Sequence, residues 1–200
     1  MPLLKLMHLG DLELTLPLAA AMSASLMAAR AWRTAFWWSF LFAIGVGVVG
    51  ATKIAFLGWG TGLPALNFKS VSGHATGVTA VFPTLFYLLL HSRGANWRTA
   101  GAAAGLGLGA AVAVLLVVSD EHAVAEAVAG WGMGALVSLG SIRLSGELSS
   151  PRLLQGSACG VLVFLAGSWA MQSTHVGYWM IKAALALSGN DRPFPWDSCG

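Results

Sequence analysis

The sequence predicts an all-α fold, a polytopic membrane helix bundle with about six transmembrane helices. Composition is the first observation behind this prediction. Of the 200 residues, 56% are hydrophobic and 10% are charged, and the mean hydropathy is +0.73, whereas a soluble domain carries about 25% charged residues. The second observation is that apolar stretches long enough to cross a bilayer recur along the chain. We therefore expect a single integral membrane domain over residues 1–200.

Each predicted span has roughly 20 mostly apolar residues. The spans are about 12–29, 34–57, 73–91, 98–118, 122–143 and 153–173. No small-residue cleavage site follows the first span, so we interpret it as a retained helix rather than a signal peptide. Residues 175–187 have a helical pattern that is too weak to show whether they cross. Tryptophans near span ends are interpreted as an interfacial belt; they are Trp37, Trp38, Trp97 and Trp179.

The fourth span is rich in small residues, notably over 100–113. Small residues let helix backbones approach closely in lipid, so we interpret them as packing contacts. The run Gly105–Gly109 superficially resembles a phosphate loop, but no strand precedes it and we reject that interpretation. Cys159 and Cys199 have no metal-ligand spacing. No basic run or aromatic-basic patch indicates nucleic-acid binding.

The arginines predict the orientation of the bundle. Three alternate loops contain six of them, namely Arg30 and Arg33, Arg93 and Arg98, and Arg143 and Arg152. The positive-inside rule makes these loops cytoplasmic. Both termini then lie outside, and the polar groups of the other loops gather on the outer face. Those groups include Lys53, Lys69, Asp120 and Glu121.

Three polar islands interrupt the apolar chain at this outer face. They are Lys53, then Ser72-Gly73-His74, then His122 with Glu126. Ionisable groups near membrane depth indicate function, because lipid tolerates them poorly. Hydrolysis of a phosphate ester needs a nucleophile, a proton donor for the leaving oxygen, and cationic or N–H donors around the phosphoryl oxygens. The three islands contain groups of all these kinds.

His122 is the candidate nucleophile, because a neutral imidazole nitrogen attacks phosphorus readily. Glu126 lies four residues later, where two side chains share a helix face. A carboxylate in that place fixes the tautomer of the ring and stabilises its positive charge. His74 begins the third span and is the candidate general acid.

The phosphate itself is expected to bind at the second island. The Ser72 hydroxyl and the Gly73 N–H lie at a predicted helix N-terminus, which is a natural anion seat. Lys53 and Lys69 supply positive charge. We expect no metal and no cofactor, because the chain offers no cluster of carboxylates, His or Cys for one. Several ionisable residues match no motif and are interpreted as interfacial; they are His8, His91, His175, Asp11 and Glu13.

This ordered set of islands resembles the type 2 phosphatidic acid phosphatase superfamily. Its members are membrane phosphatases of lipid phosphates and are related in fold to vanadium haloperoxidases. The likeness covers about residues 50–140. Lys53 matches the lysine that begins the first family motif. Ser72-Gly73-His74 matches the last three residues of the second, Pro-Ser-Gly-His.

The third motif of the family ends in His-x-x-x-Asp, and His122-Ala-Val-Ala-Glu126 has Glu in place of that Asp. The resemblance implies that His122 is the nucleophile, Glu126 its orienting partner and His74 the acid/base. Two family arginines are absent, because Gly60 stands seven residues after the motif lysine and Leu116 six residues before the motif histidine. Arginine is the better bidentate phosphate ligand, so their loss weakens the clamp on the phosphate.

Three functions remain open on the sequence. The first is an enzyme that hydrolyses a lipid phosphate or diphosphate, such as a polyprenyl diphosphate, phosphatidylglycerol phosphate, phosphatidic acid or lipid A. The second, favoured by the missing arginines, is a catalytically weakened relative that binds lipid phosphate as a structural or partner subunit. The third is a transporter or channel, which the gathering of polar groups at one end of the spans disfavours.

We expect the enzyme, working through a phosphohistidine intermediate. Its partners would be a lipid phosphate substrate and membrane lipids, and no nucleic acid. The compact, all-membrane form with both termini outside suits a bacterial inner membrane, with the active site facing the periplasm.

Overall fold

The computed structural model describes residues 2–195, apart from the side chains of residues 2–4 and Ser150. Within these residues the chain forms seven α-helices and no strand. The helices are α1 (Leu12–Ala28), α2 (Trp32–Trp59), α3 (Gly73–Leu89), α4 (Ala95–Val118), α5 (Val124–Leu144), α6 (Ser150–Met171) and α7 (Val176–Ser188). Short 3₁₀ helices cover Pro2–Gly10, Pro64–Leu66 and His91–Arg93. The predicted all-α fold is confirmed.

A helix occupies each of the six stretches that the sequence marks as a span. By length and composition, four helices of the described chain are able to cross a membrane, namely α2, α4, α5 and α6. Helices α1 and α3 have 17 residues each, which corresponds to a length of about 25 Å. The chain is therefore a helical membrane protein with four clear candidate spans.

Helix α3 lies at the centre of the bundle and packs against α1, α2, α4 and α5. Two apolar clusters meet on it. Val81 belongs to a cluster shared with α1, α2 and α5, and Val78 belongs to one shared with α4 and α5. Both side chains are 0% exposed. Because apolar side chains enclose α3 on several sides, its N-terminus is held in a fixed place.

Trp38 does not belong to an interfacial belt. Its side chain is 0% exposed, and its indole N–H donates to the Ala19 carbonyl oxygen at 3.2 Å. A buried tryptophan needs such a partner for its N–H group. The sequence interpretation of Trp38 is wrong, because closeness to a span end does not show which side of the helix faces the core. Trp97 and Trp179 are exposed, at 59% and 60%, as a belt requires.

The loops between the helices separate into two ends of the bundle. At one end the Arg33 Nε–H donates to the Leu144 carbonyl oxygen at 3.1 Å, and His91 Nε2 lies 3.0 Å from the Leu148 carbonyl oxygen. These contacts hold the arginine-bearing loops together. We call the other end the site end. It comprises the N-termini of α1, α3 and α5 and the C-termini of α2 and α4, at Leu12, Gly73, Val124, Trp59 and Val118.

Helix α7 lies across the site end instead of running through the bundle. Helix α6 is antiparallel to α1, since Gly167 near its C-terminus packs beside Pro17 in the first half of α1. The chain therefore enters α7 at the site end. The last residue of α7, Ser188, packs beside Gly58 of α2, and the Asn190 side chain donates to the Gly58 carbonyl oxygen at 2.7 Å. Both ends of α7 thus lie at one end of the bundle.

Gly105 and Gly109 of α4 are packing contacts, as the sequence predicts. A Cβ at Gly105 would collide with the backbone of Pro83 in α3, and one at Gly109 would collide with the Thr79 side chain. Gly107 faces away from α3, and a Cβ there would meet nothing within 4 Å. The small residues therefore let α3 and α4 touch backbone to backbone.

We expect Gly105→Val to destabilise the folded protein and Gly107→Val to leave its stability nearly unchanged. The added methyl groups at position 105 have no room, and overpacking of this kind costs about 1–3 kcal/mol. The two positions share a helix and differ in which face they occupy, so each variant controls for the other. Thermal unfolding in one detergent is the measurement, and equal melting temperatures would contradict the close contact of α3 and α4.

Candidate functional site

The carboxylate of Glu126 ties together the segments that form the site. This residue is 5% exposed. Its Oε1 accepts the backbone N–H groups of Lys69 at 2.8 Å and Ser70 at 3.2 Å. Its Oε2 accepts the backbone N–H of Ala123 at 3.3 Å and lies 2.8 Å from His122 Nδ1. One buried carboxylate therefore joins the loop before α3 to the turn that begins α5.

His122 lies in the turn between α4 and α5, two residues before α5 begins at Val124. The predicted contact with Glu126 is present, but the predicted reason is wrong, because His122 is not helical. Glu126 lies in the first turn of α5 and reaches back over the N-terminus, as the acidic residue of a capping box does. With Nδ1 bound to Glu126, Nε2 of His122 has no hydrogen-bond partner among the described residues.

His74 is the second residue of α3 and meets a carboxylate from the start of α1. Its Nε2 lies 3.0 Å from Asp11 Oδ1, while Asp11 Oδ2 lies 3.0 Å from His8 Nδ1. The rings of His74 and His122 have centroids 6.3 Å apart. Sequence reasoning interpreted Asp11 and His8 as interfacial and missed this contact. The sequence held one signal for this contact: Asp11 and His8 precede the first span, so the predicted topology places them on the same side of the membrane as His74.

The N-terminus of α3 offers free backbone donors. Ser72 is the N-cap, is fully buried, and accepts the Ala75 N–H with its hydroxyl at 3.4 Å. Among the described residues the N–H groups of Gly73 and His74 have no acceptor, as expected in a first helical turn. Such groups attract anions. Gly73 is therefore placed for the predicted anion seat, while the Ser72 hydroxyl stabilises the helix start.

Two lysines border these donors. A Cβ built at Gly73 would lie 3.8 Å from Lys53 Nζ, so the ammonium group lies beside the start of α3. Lys53 also interacts electrostatically with Glu126 and His74. Glu126 anchors the backbone of Lys69, whose side chain is partly exposed and forms no ion pair within the described residues. The structure brings Lys53 to the site and Lys69 to its edge.

Gly60 and Leu116 stand where the resembled family has arginines, and both have structural roles. Gly60 ends α2 with a φ of 64°, and the Phe194 ring packs against its Cα. Leu116 is 1% exposed, within the apolar cluster between α3, α4 and α5. Neither position supplies a charged group to the site.

An apolar crevice between α1, α2 and α3 ends at Gly73. Aliphatic residues, glycines and one aromatic ring form most of its wall. The lining residues are Leu12, Thr15, Phe42, Gly45, Val46, Val49, Gly73, Thr76, Gly77, Ala80 and Val137. This crevice is small, and its apolar wall adjoins the N-terminus of α3, where Lys53 and the free N–H groups lie.

The described residues contain no group of three or more His, Cys, Asp or Glu side chains arranged to hold a metal ion. The groups that are present favour nucleophilic and acid–base chemistry. One imidazole is oriented by a carboxylate and has a free nitrogen, and a second imidazole faces it across 6.3 Å between ring centroids. Fold and site together define a helical membrane protein with two neighbouring histidine–carboxylate pairs.

Comparison with known proteins identifies a family. The chain is 33% identical over 194 residues to an "Uncharacterized 22.5 kDa protein in cps region" of Klebsiella pneumoniae, and the match covers 92% of this chain and 91% of that relative. The chain therefore belongs to the family of that protein, whose name gives a size and a region rather than an activity. No protein-family model and no solved structure matches the chain.

We expect Glu126→Ala to lower the stability of the folded protein strongly. The substitution leaves the N–H groups of Lys69, Ser70 and Ala123 without their acceptor, and a buried polar group without a partner costs about 1–3 kcal/mol. Thermal unfolding in detergent measures the effect. Glu121→Ala is the matched control, because it removes an exposed carboxylate from the same turn. Equal melting temperatures would show that Glu126 does not hold the loop.

Proposed function

We propose that the protein is a membrane phosphatase that hydrolyses a lipid phosphate or diphosphate through a phosphohistidine intermediate. This is the activity of the type 2 phosphatidic acid phosphatase superfamily that its motifs resemble. The observation that supports the proposal most strongly is the pair of imidazole rings of His74 and His122, 6.3 Å apart and each hydrogen-bonded to a carboxylate. One ring is placed to attack phosphorus and the other to move the proton of the leaving oxygen.

The reaction then runs in two steps. His122 Nε2 attacks phosphorus, the bond to the leaving oxygen breaks, and that oxygen takes a proton from His74. In the second step a water attacks phosphorus, His74 takes a proton from it, and the P–N bond breaks to release phosphate. Glu126 stabilises the positive charge on the His122 ring in both steps. The phosphoryl oxygens face Lys53 and the free N–H of Gly73.

The apolar surface beside the site supports a lipid as the substrate. The crevice is too small to enclose a chain, but the apolar residues of α1, α2 and α3 that line it adjoin Gly73. An acyl or prenyl chain that stays in the bilayer against these helices would bring its phosphate to the N-terminus of α3. The substrate would reach the site from the side, within the outer leaflet, and only its headgroup would meet His122. Polyprenyl diphosphates, phosphatidylglycerol phosphate, phosphatidic acid and lipid A all have this amphipathic form.

In our proposal the chain crosses the membrane six times, through α1 to α6. A span needs about 17–25 residues, and α1 and α3, with 17 residues each, reach the lower limit. The arginine-bearing loops lie at the end opposite the site, so the positive-inside rule makes that end cytoplasmic. In a bacterial inner membrane the site would then face the periplasm.

A protein that binds lipid phosphate without turnover is the second candidate. The observation in its favour is that Gly60 and Leu116 have structural roles at the positions of the two family arginines. Lys53 and Lys69 are the side-chain cations that remain near the anion seat. A lysine is a point charge and does not reproduce the bidentate grip of a guanidinium group.

We expect His122→Ala to reduce phosphate release by about a thousandfold or more, because it removes the nucleophile. The measurement uses purified, detergent-solubilised protein and a panel of lipid phosphates and diphosphates. His175→Ala is the matched control, since His175 is exposed and its side chain makes no hydrogen bond or ion pair in the described structure. Retention and melting temperature of both variants in the same detergent confirm folding.

The outcomes of this experiment separate the two candidates. Release that persists in the His122→Ala variant at the wild-type rate would overturn the assigned nucleophile. No release by folded wild-type protein from any substrate, together with saturable binding of a fluorescent lipid phosphate, would establish the second candidate in place of the phosphatase.

We expect a membrane-impermeant maleimide to label Thr61→Cys in intact cells and to label Asn96→Cys only after the cells are lysed. Both positions are exposed, the first at the site end and the second at the arginine-bearing end. The background carries Cys159→Ser, on the exposed surface of α6, and Cys199→Ser, which lies outside the described residues. Labelling of position 96 in intact cells would reverse the proposed orientation.

A further inference from the structure

Asp11 connects the site to the segment that precedes α1. One carboxylate oxygen lies 3.0 Å from His74 Nε2 and the other lies 3.0 Å from His8 Nδ1. The Asp11 side chain is 35% exposed, the His74 side chain 39% and the His8 side chain 75%. The contact therefore lies at the opening of the site, with water on one side and the His122 ring on the other.

The start of α1 does not depend on a capping bond from this carboxylate. Asp11 is the N-cap residue of α1, yet its side chain makes no capping hydrogen bond. The start of the helix depends instead on the Asp11 carbonyl oxygen, which accepts the backbone N–H of Leu14 at 3.0 Å and of Thr15 at 2.9 Å. Among the described residues, the Asp11 carboxylate forms hydrogen bonds with His8 and His74 alone.

We propose that Asp11 is a positioning residue that orients His74 for proton transfer, and this proposal rests on the phosphatase function above. The arrangement mirrors the pair at the nucleophile. Glu126 binds Nδ1 of His122 and leaves Nε2 free, while Asp11 binds Nε2 of His74 and leaves Nδ1 without a partner among the described residues. Carboxylates in this position fix the tautomer of an imidazole and stabilise its charged form.

The role of Asp11 in the reaction follows from this tautomer. With the Nε2–H donated to Asp11, Nδ1 of His74 is the atom that exchanges protons. It gives its proton to the leaving oxygen as the P–O bond breaks, and it accepts one from water as the P–N bond to His122 breaks. The carboxylate of Asp11 accepts the Nε2–H throughout and stabilises the imidazolium form before the first step and after the second.

Burial, together with the charged and titratable groups that face His74, sets its response to pH. Asp11 faces it from the start of α1, Lys53 from α2 and His122 from the turn before α5. Of these neighbours only Asp11 carries negative charge, and His8 is bound on its far side. Removal of that charge leaves His74 beside a lysine and a second histidine, so its proton is lost more readily. The general acid then works over a narrower range of pH.

The experiment compares Asp11→Asn, Asp11→Glu and Glu13→Gln with wild-type protein in the phosphate-release assay. Asp11→Asn keeps the size of the side chain and removes its charge. Glu13→Gln removes an exposed carboxylate from the first turn of the same helix. We expect Asp11→Asn to lower kcat by at least about 10-fold, up to the roughly 10⁴-fold loss caused when an amide replaces an orienting carboxylate, with KM changed by less than about threefold.

The dependence on pH is the readout that a purely structural role would not move. We expect the alkaline limb of the kcat profile to shift to lower pH in Asp11→Asn, to return toward its wild-type position in Asp11→Glu, and to stay in place in Glu13→Gln. If the wild-type protein is active and Asp11→Asn leaves both kcat and the alkaline limb of its pH profile unchanged, the proposal is overturned. It is also overturned by a loss of kcat with an unmoved limb and a lowered melting temperature.

A second measurement tests the contact without turnover. In ¹⁵N-histidine NMR of the detergent-solubilised protein, neutral His74 should carry its proton on Nε2, and Asp11→Asn should alter that signal while Glu13→Gln leaves it alone. A proton on Nδ1 in the wild-type protein would overturn the proposal whatever the activity. Absence of phosphate release by wild-type protein would instead overturn the phosphatase, so the two failures remain distinct.

Discussion

The position of the candidate site depends on one buried carboxylate. Glu126 accepts three backbone N–H groups and faces one imidazole, so each of its oxygens is used twice. The partners come from two segments more than fifty residues apart in sequence, the loop at Lys69 and Ser70 and the turn at His122. In an apolar surrounding an ionised carboxylate is stable only with such partners. The site and this local fold therefore require each other.

Small residues bring the two segments close enough for that carboxylate to reach. A Cβ at Gly130 of α5 would lie 2.6 Å from the Ser72 carbonyl oxygen, and one at Gly134 would lie 2.6 Å from the Thr76 carbonyl oxygen. Helices α3 and α5 thus touch along their backbones, which is the packing that lipid favours when side chains are small. The Ser72 N–H also donates to the Glu126 carbonyl oxygen at 3.2 Å. The contact that packs α3 against α5 therefore also brings the segments of the site together.

The sequence predicts the helices well and the side-chain contacts unevenly. Bilayer thickness limits the length of a span, so apolar stretches such as 98–118 correspond closely to helices such as α4, Ala95–Val118. Alternate loops of a helix bundle lie at the same end, so counting the spans is enough to place Lys53 and His122 together. Contacts that depend on helix rotation are beyond such reasoning. The burial of Trp38 is one example, since neighbouring positions near a span end look alike in hydropathy.

Other contacts cannot be predicted, because no regular spacing in the sequence links the residues that form them. Asp11 and His74 are 63 residues apart, and neither helical spacing nor composition joins them. The pairing of His122 with Glu126 looks helical in the sequence, yet it is a capping contact across the start of α5. In both cases the residues of the candidate site lie at helix ends. There backbone groups are unpaired and side chains turn back on the helix, so local geometry departs from the pattern of 3.6 residues per turn.

This fold leaves no place for the two arginines of the phosphatase superfamily that the motifs resemble. At Gly60 a side chain would have to accept a left-handed φ of 64° and a Cβ 2.7 Å from the Phe194 ring. At Leu116 a guanidinium group would replace a core side chain that is 1% exposed. An arginine at either place therefore requires a different turn or a different core. Under the proposed function, the charge of a bound phosphate would then fall on Lys53 and on the N-terminus of α3, whose free N–H groups are fixed by the packing around it. A phosphate site of this kind would rely on preorganised dipoles rather than on a guanidinium clamp.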